Sequence, residues 1–307
     1  MGGLSEGIML IDKDEGETSF DVVKKIRRRT DLKKVGHAGT LDPFATGLLI
    51  ILLGQGTKLS PYLMAGEKRY LASLRLGVET DTLDPTGRVT LTKPVPTLDR
   101  EEIERKILEF VGEIEQSPPA FSAVNIKGKR AYKMARKGIK VELPKKRVMI
   151  YSIGIESIDM PDITIEVHCS GGTYIRSLAA DIGERLGTVA HLSSLRRLSS
   201  GPFHVKDAIK SESIHVGASE NSLAKNVISL KDSLPDMETV YVDVTRAIKI
   251  RNGHRPCWEE LSDGSGARDF YEGFIKIVSG KSLIAILEVS RLSRDDSDWL
   301  KNIRVFN

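Results

Sequence analysis

Two short turns of nearly identical sequence, Gly39-Thr40-Leu41-Asp42-Pro43 and Asp81-Thr82-Leu83-Asp84-Pro85, each set an aspartate before a proline. Alone, such a pair is an Asx turn, with the side chain capping its own backbone and the proline enforcing an extended approach. Their neighbours separate them. Asp84 follows Glu79 and Asp81 and precedes Arg88, so it reads as part of a hydrated acidic turn whose replacement by asparagine should be near neutral. Between Val35 and Leu53, by contrast, Asp42 is the only formally charged residue if His37 is neutral, and Gly36, Gly39 and Gly47 allow backbone to approach a ligand closely. An ionised carboxylate there needs a cation, or its pKa rises. Arg176 in Gly171-Gly172-Thr173-Tyr174-Ile175-Arg176 is the best candidate, because a glycine pair entering a helix suits a site better than a core. Such a pairing lowers a carboxylate pKa by about 1–3 units. A carboxylate so held could act as a nucleophile, shield a developing cation or remove a proton, and spacing alone does not choose among them.

Other chemistries lack their signatures. The chain contains no G-x-S-x-G elbow, H-E-x-x-H, Walker loop or dinucleotide fingerprint. Cys169 and Cys257 are its only cysteines, which suggests neither a disulfide framework nor a zinc site. The longest uncharged apolar run, Ala45 to Gln55, is far below the ~20 residues that span a bilayer. With no secretory signal pattern at the N-terminus, a cytoplasmic protein is expected. Charge is concentrated rather than high: Ala120 to Arg147 holds ten Lys/Arg against Glu142, a local +9 in a chain of formal net charge +4, so the rest is −5. Lys24 to Lys34 adds seven basic residues against Asp31. A basic projection on a mildly acidic body suits a phosphate backbone, since neutralised phosphates release counterions.

The elements that must position these groups follow from periodicity. Ile8 to Ile11 reads as a buried strand, and Thr18 to Asp21 caps a helix running to about Arg29 with Phe20, Val23 and Ile26 on its apolar face. Gly36 to Pro43 is a loop, the following LLIILL a core strand or buried helix, and Tyr70 to Leu76 a strand. Thr97 to Gly112 patterns as a helix with Ile103, Ile107, Phe110 and Val111 inward. Prolines at 118, 119 and 144 bracket the basic segment, about 118–147, as an inserted arm. Val148 to Ile158 and Ile163 to Cys169 are β-rich, and Thr173 to Leu186 is a helix ended by Gly187. A domain boundary is placed in the polar stretch Ser211 to Asp236, giving domains 1–235 and 236–307. Thr239 to Ile250 and three later runs should be short strands of a small β-rich module. The pattern suggests an α+β fold with a largely antiparallel sheet.

Six blocks carry a family resemblance: IDKDEGETSFDVV, VGHAGTLDPFATGLL, EKRYLASLRLG, SPPAFSAVNIKGKRAYKMARKG, HCSGGTYIRSLAADIGERLG and AHLSSLRRLSSGPF. In this order, over most of residues 8 to 205, the chain resembles the bacterial tRNA pseudouridine-55 synthases. The resemblance implies a mixed central sheet with flanking helices, and isomerisation of uridine 55 in the TΨC loop of tRNA by base flipping and a catalytic aspartate, without cofactor or metal. It implies Asp42 as that aspartate, Arg176 as its ion-pair partner, Tyr70 stacking on the flipped base, Tyr174, His37 and Lys13 lining the site, and Leu195 packing its wall. Lys127, Lys129, Arg130, Lys133 and Arg136 would belong to the RNA-binding arm. Residues 236–307 weakly resemble a PUA RNA-binding domain. The chain departs from the family pattern at Phe121, usually tyrosine, and Asn125, often lysine, which puts one hydroxyl and one cationic arm contact in doubt. The partner implied is the T stem-loop of tRNA, and a monomer is the default. Two competing readings are a structured-RNA-binding protein without catalysis and a metal-dependent nuclease using Asp81 and Asp84.

Overall fold

A computed structural model describes residues 6–30, 32–121, 125–126, 129–130, 134, 143–214, 223–261, 272–289 and 300–307. The chain begins β1 (Gly7–Lys13), α1 (Ser19–Arg27), β2 (Val35–His37), β3 (Thr46–Leu53), a 3-10 turn (Gly54–Leu59) and α2 (Ser60–Ala65). It continues through β4 (Lys68–Leu76), β5 (Val78–Thr80), β6 (Val89–Thr92), α3 (Arg100–Leu108), β7 (Gly112–Gln116), β8 (Asn125–Ile126) and β9 (Lys129–Arg130). Next come β10 (Lys146–Asp159), β11 (Asp162–Cys169), α4 (Ile175–Arg185), β12 (Ala190–Ser200), β13 (Phe203–His204), β14 (Ile209–Lys210) and β15 (Val227–Ser229). The last elements are β16 (Glu238–Tyr241), α5 (Val244–Arg251), α6 (Trp258–Leu261), β17 (Gly273–Ser279), β18 (Ser282–Val289) and β19 (Leu300–Val305).

A large mixed sheet runs β14-β1-β3-β12-β4-β11-β10-β7, with β2, β13 and β15 on β3, β12 and β1. Within it, among the described residues, only the pairings β1 with β14 and β3 with β12 are parallel. A second sheet, β16-β17-β18-β19, follows. The LLIILL run is β3, and it is apolar throughout because both of its faces are covered. Leu49, Ile51 and Leu53 join one core with α1, α3 and α4, while Leu48, Ile50 and Leu52 join another that includes Val278, Leu283, Ile286 and Phe306 of the second sheet and C-terminus. Burial of each such side chain is worth about 1.5–3 kcal/mol. The two sheets therefore share a core.

Several boundaries differ from expectation, each for a local reason. In α1 the buried residues include Val22, Val23 and Ile26, while Phe20 is 53% exposed with the Lys24 ammonium 4.8 Å from its ring centroid. The helix begins where Thr18 and Asp21 close a capping box. α3 is shorter than its pattern, since Asp99 caps it and it ends by Leu108, leaving Val111 exposed. Residues 239–250 are not all strand: after β16, Asp243 accepts from the Arg246 N–H at 2.8 Å and starts α5. In the arm, Lys129 and Arg130 form β9, paired with β8; Lys127, Lys133 and Arg136 lie outside the described residues.

Candidate active site

The parallel pairing of β3 with β12 sets Thr46 and Gly47 opposite Arg196 and Arg197, which brings the Asp42 loop to the edge of the central strands. Only glycine fits at 47: φ is +98°, and a Cβ would lie 2.3 Å from the Arg197 carbonyl oxygen. The loop is tied from three sides. Ser19 Oγ accepts from the Leu41 N–H at 2.9 Å, Pro43 O accepts from the Gly16 N–H at 2.8 Å, and Arg197 Nη2 donates to Gly39 O at 3.2 Å. Gly187, at φ +87°, closes the far end of α4 by donating to Glu184 O at 2.9 Å, and so fixes the register that puts Arg176 in its first turn.

Arg176 is the hub. Its side chain is 6% exposed, and its Nε lies 3.0 Å from Asp42 Oδ2. Nη2 donates to Asp42 Oδ1 at 3.4 Å and to Phe121 O at 3.1 Å. Nη1 donates to Thr82 O at 3.0 Å and to Asp84 Oδ2 at 3.1 Å. Asp84 is therefore not an acid in a hydrated turn. Its side chain is as buried as that of Arg176, and its other oxygen accepts from Thr82 Oγ1, the Thr86 N–H and Thr86 Oγ1 at 2.7, 3.0 and 2.6 Å. The turn folds under because Thr80 brackets Asp84 with two hydrogen bonds and Leu83, at φ +60°, carries its carbonyl to the Leu192 N–H. Both matching turns thus deliver an aspartate to one guanidinium. Both Asp84 oxygens accept from protein donors, three on Oδ1 and Arg176 Nη1 on Oδ2.

With Asp84 sharing the arginine, Asp42 is not pulled below the ordinary carboxylate range. Burial pushes its pKa up; the Arg176 charge opposes this, Asp84 adds to it, and Lys13 opposes it. Desolvation is the largest of these influences, and the repulsion from Asp84 on the far side of the guanidinium works in the same direction. Replacing Asp84 with asparagine should cost about 1.5–3 kcal/mol, the worth of hydrogen bonds to a charged group. The amide keeps one acceptor where two oxygens now serve several donors. A lowered melting temperature together with slowed turnover is the expected result, and an unshifted melt would return Asp84 to the status of a solvated acid.

Asp42 borders a cavity of about 270 Å³ that Tyr70, Tyr174, Arg176 and Leu195 also line, together with Lys68, Phe121 and Arg197. Tyr70 on β4 faces Arg197 on β12, and Leu195 faces Ala72, so the two walls come from adjacent strands. Lys13 and His37 are not among the lining residues. Lys13 is fully buried and donates to the carbonyls of Asp14 and Glu17 at 2.8 Å and Pro43 at 3.3 Å, so it anchors the loop behind Asp42. His37 ends β2 half-buried, its Nδ1 without a hydrogen-bond partner among the described residues, and burial with the nearby Arg197 charge holds it below the usual histidine pKa. Sequence reasoning missed Asp84, Arg197 and Gln116. Arg197 is 2% exposed, donates to Leu48 O at 2.6 Å and contacts the Tyr70 hydroxyl. Gln116 clamps the Tyr174 peptide, accepting from its N–H at 3.0 Å and donating to its C=O at 3.3 Å. An arginine two positions after Leu195 on one strand, and a glutamine just before the Pro-Pro break, were the available signals.

Among the described residues no helix is long and apolar enough to cross a membrane, and no His/Cys/Asp/Glu group has metal-binding geometry. Comparison with known proteins now adds to the geometry. Residues 27–175 match the model of the TruB family pseudouridylate synthase N-terminal domain, and residues 176–241 that of the tRNA pseudouridylate synthase B C-terminal domain. The chain is 39% identical to a tRNA pseudouridine synthase B of Geobacter sulfurreducens over 98% of its own length and all of the relative. Identity to that of Clostridium kluyveri is 46%, over 81% of this chain and 84% of the relative. Among solved structures, a chain of a Cbf5–Nop10–Gar1 complex superposes with a TM-score of 0.72 at 25% identity, over 98% of this chain and 84% of that one. Both the family-model matches and these identities over most of the chain lead to one assignment: this chain is a member of the TruB family of pseudouridylate synthases.

Proposed function

We propose that the protein isomerises uridine 55 in the TΨC loop of tRNA, with Asp42 as the catalytic group and no cofactor. The observation that carries this reading is the Asp42 carboxylate, fixed by Arg176 at the border of a 270 Å³ cavity walled by Tyr70 and Leu195. That volume lies just below the span usual for ligand cavities, about 300–1,000 Å³, and suits one base rather than two. The reaction needs no redox partner: N1–C1′ breaks, the uracil turns, C5–C1′ forms, the C5 proton departs and N1 gains one. Reaching the target means unstacking it, at a few kcal/mol. A base stacked on Tyr70 recovers about 1–3 kcal/mol of this. Residues 1–235 would form the catalytic domain and 236–307 a PUA-like RNA-binding domain, in a cytoplasmic monomer. Arg176 pairs with Asp42, Tyr174 and Leu195 shape the cavity, Lys13 anchors its loop, and His37 ends the strand that leads into that loop.

Purified protein incubated with unmodified tRNA transcript in chelator, followed by pseudouridine-specific chemical mapping, tests the reading. Modification at position 55 alone is expected. An intact uridine would favour a non-catalytic RNA binder, and metal-dependent strand scission a nuclease.

Two further outcomes are expected. Because the raised pKa of Asp42 must be exceeded for its ionised form to act, the acid limb of the single-turnover rate should have its midpoint above the ordinary aspartate value of 3.8. A midpoint at or below that value would show that the attraction of Arg176 outweighs burial. For the arm, replacing Lys127, Lys129 and Arg130 with alanine should weaken tRNA binding and flatten its salt dependence by about 0.7–0.9 for each phosphate no longer neutralised. An unchanged slope would make these residues merely solvated.

A further inference from the structure

Among the described residues the buried lysines and arginines are Lys13, Lys68, Arg176, Arg197 and Lys276. A buried charge is costly unless it is paired, so each should face an acid. Arg176 holds Asp42 and Asp84. Lys13 lies in the field of Glu17, Asp14, Asp42 and Glu15, and Lys276 in that of Asp232 and Asp236. Lys68 and Arg197 differ: among the described residues neither pairs with a carboxylate, and their donors meet uncharged groups instead. Lys68 Nζ donates to Leu63 O at 3.4 Å, to Met64 O at 2.8 Å and to Gly66 O. Arg197 donates to Leu48 O at 2.6 Å and Gly39 O at 3.2 Å and contacts the Tyr70 hydroxyl. Burial, then the Arg197 charge, pulls the Lys68 ammonium down to about 8. Cys169 alone opposes this, and burial pushes its thiol up to about 11, so it is neutral near pH 7.

Both uncompensated cations line the Asp42 cavity. Lys68 and Tyr70 are two apart on β4 and so share a face of the sheet, while on β12 Arg197 stands opposite Tyr70 and Leu195 opposite Ala72. The strands therefore place two unbalanced positive charges beside the walls that would take the base, whereas Asp42 and Arg176 arrive from a loop and from α4. A neutral uracil gains little from such a surface. The base is neutral only before and after the reaction. As N1–C1′ breaks, both bonding electrons leave with N1, and the negative charge spreads over N1, O2 and O4. When C5–C1′ forms, the base returns that electron pair to C1′, the C5 proton departs and N1 gains one, so the product is neutral again without a co-reactant. Cations left unpaired by the protein stabilise this passing charge more than they stabilise the substrate, which is the condition for accelerating the bond-breaking step.

We propose that Lys68 and Arg197 stabilise the negative charge that collects on the uracil as its bond to C1′ breaks. This deepens the reading of the Asp42 site given above and rests on it. The test uses the full chain carrying Lys68→Met, and separately Arg197→Gln, on T stem-loop RNA with either uridine or 5-fluorouridine at the target position. Fluorine is close to hydrogen in size but makes the departing base a weaker base, one that needs less help to carry charge. It also blocks proton loss at C5, so the quantity read is N1–C1′ cleavage in a single turnover, followed chromatographically after nuclease digestion. Each variant should cleave uridine at least about 30-fold more slowly than the wild type, as loss of one preorganised charge-stabilising group does. With 5-fluorouridine the loss should shrink at least threefold. Both substrates meet the same preparation, so a variant that folds poorly lowers both rates alike and leaves their ratio readable. Equal losses on the two substrates would overturn the proposal and make Lys68 and Arg197 structural; so would cleavage of uridine at the wild-type rate. Failure of the underlying reading would instead show as absence of pseudouridine with the wild-type chain.

Discussion

Asp42→Asn should abolish pseudouridine formation, slowing single turnover by at least about 10⁴-fold, or roughly 5.5 kcal/mol of barrier, while tRNA affinity stays within a few fold. The amide matches the carboxylate in shape, so the cavity of about 270 Å³ keeps its walls. It removes the negative charge, and with it nucleophilicity and any shielding of positive charge at C1′. It also turns an N–H₂ toward a guanidinium that offers only donors, where Arg176 Nε and Nη2 now meet two acceptor oxygens at 3.0 and 3.4 Å. RNA affinity is set mainly by phosphate contacts elsewhere, which is why binding and turnover should part company. Turnover within tenfold of wild type would remove Asp42 from the chemistry.

Arg176→Met should be the most destabilising single change at the site. It deletes the ion pairs with Asp42 and Asp84 and the hydrogen bonds to Thr82 O and Phe121 O, and it leaves Asp84 without its cation at a side chain only 6% exposed. Removing one partner of a buried pair costs about 3–5 kcal/mol, a melting-temperature loss of roughly 6–20 °C. The sign of its pH dependence separates this from a simple cavity effect. Asp42, whose pKa burial already raises, would lose the opposing charge of Arg176 and rise further above its unfolded value, so the folded state holds the proton more tightly. Stability lost above that pKa should return as the pH falls through it. Calorimetry across pH should show the variant gaining on the wild type under mild acid. Adding Asp84→Asn to it should recover part of the loss at neutral pH. A deficit independent of pH would mean that packing, rather than stranded charge, accounts for the cost.

Much of this was legible in the residues because the signals were local. The capping box at Thr18 and Asp21, the apolar run of β3 and the glycine after α4 each depend on neighbours within a few positions. What escaped was long-range. Asp84 looks solvated because its sequence neighbours are charged, yet Thr82, Thr86 and an arginine 92 positions away desolvate it. Residues 239–250 read as one strand because valines and isoleucines recur at strand-like density, and only the Asp243 cap reveals the switch to helix. Lys13 resembles a site lysine by position but is buried behind the loop, which pattern alone cannot distinguish from facing the cavity. The shared core between the sheets had no signature, since alternate residues of an all-apolar strand do not announce which partner covers them.

The most direct measurement is a crystal structure of the Asp42→Asn variant bound to a T stem-loop RNA carrying unmodified uridine. The account predicts the uracil out of its stack, lying against Tyr70 in the space beside Leu195 and Arg176, with C1′ in contact with the side chain at position 42. A target base still stacked in its loop, or seated away from that side chain, would contradict it.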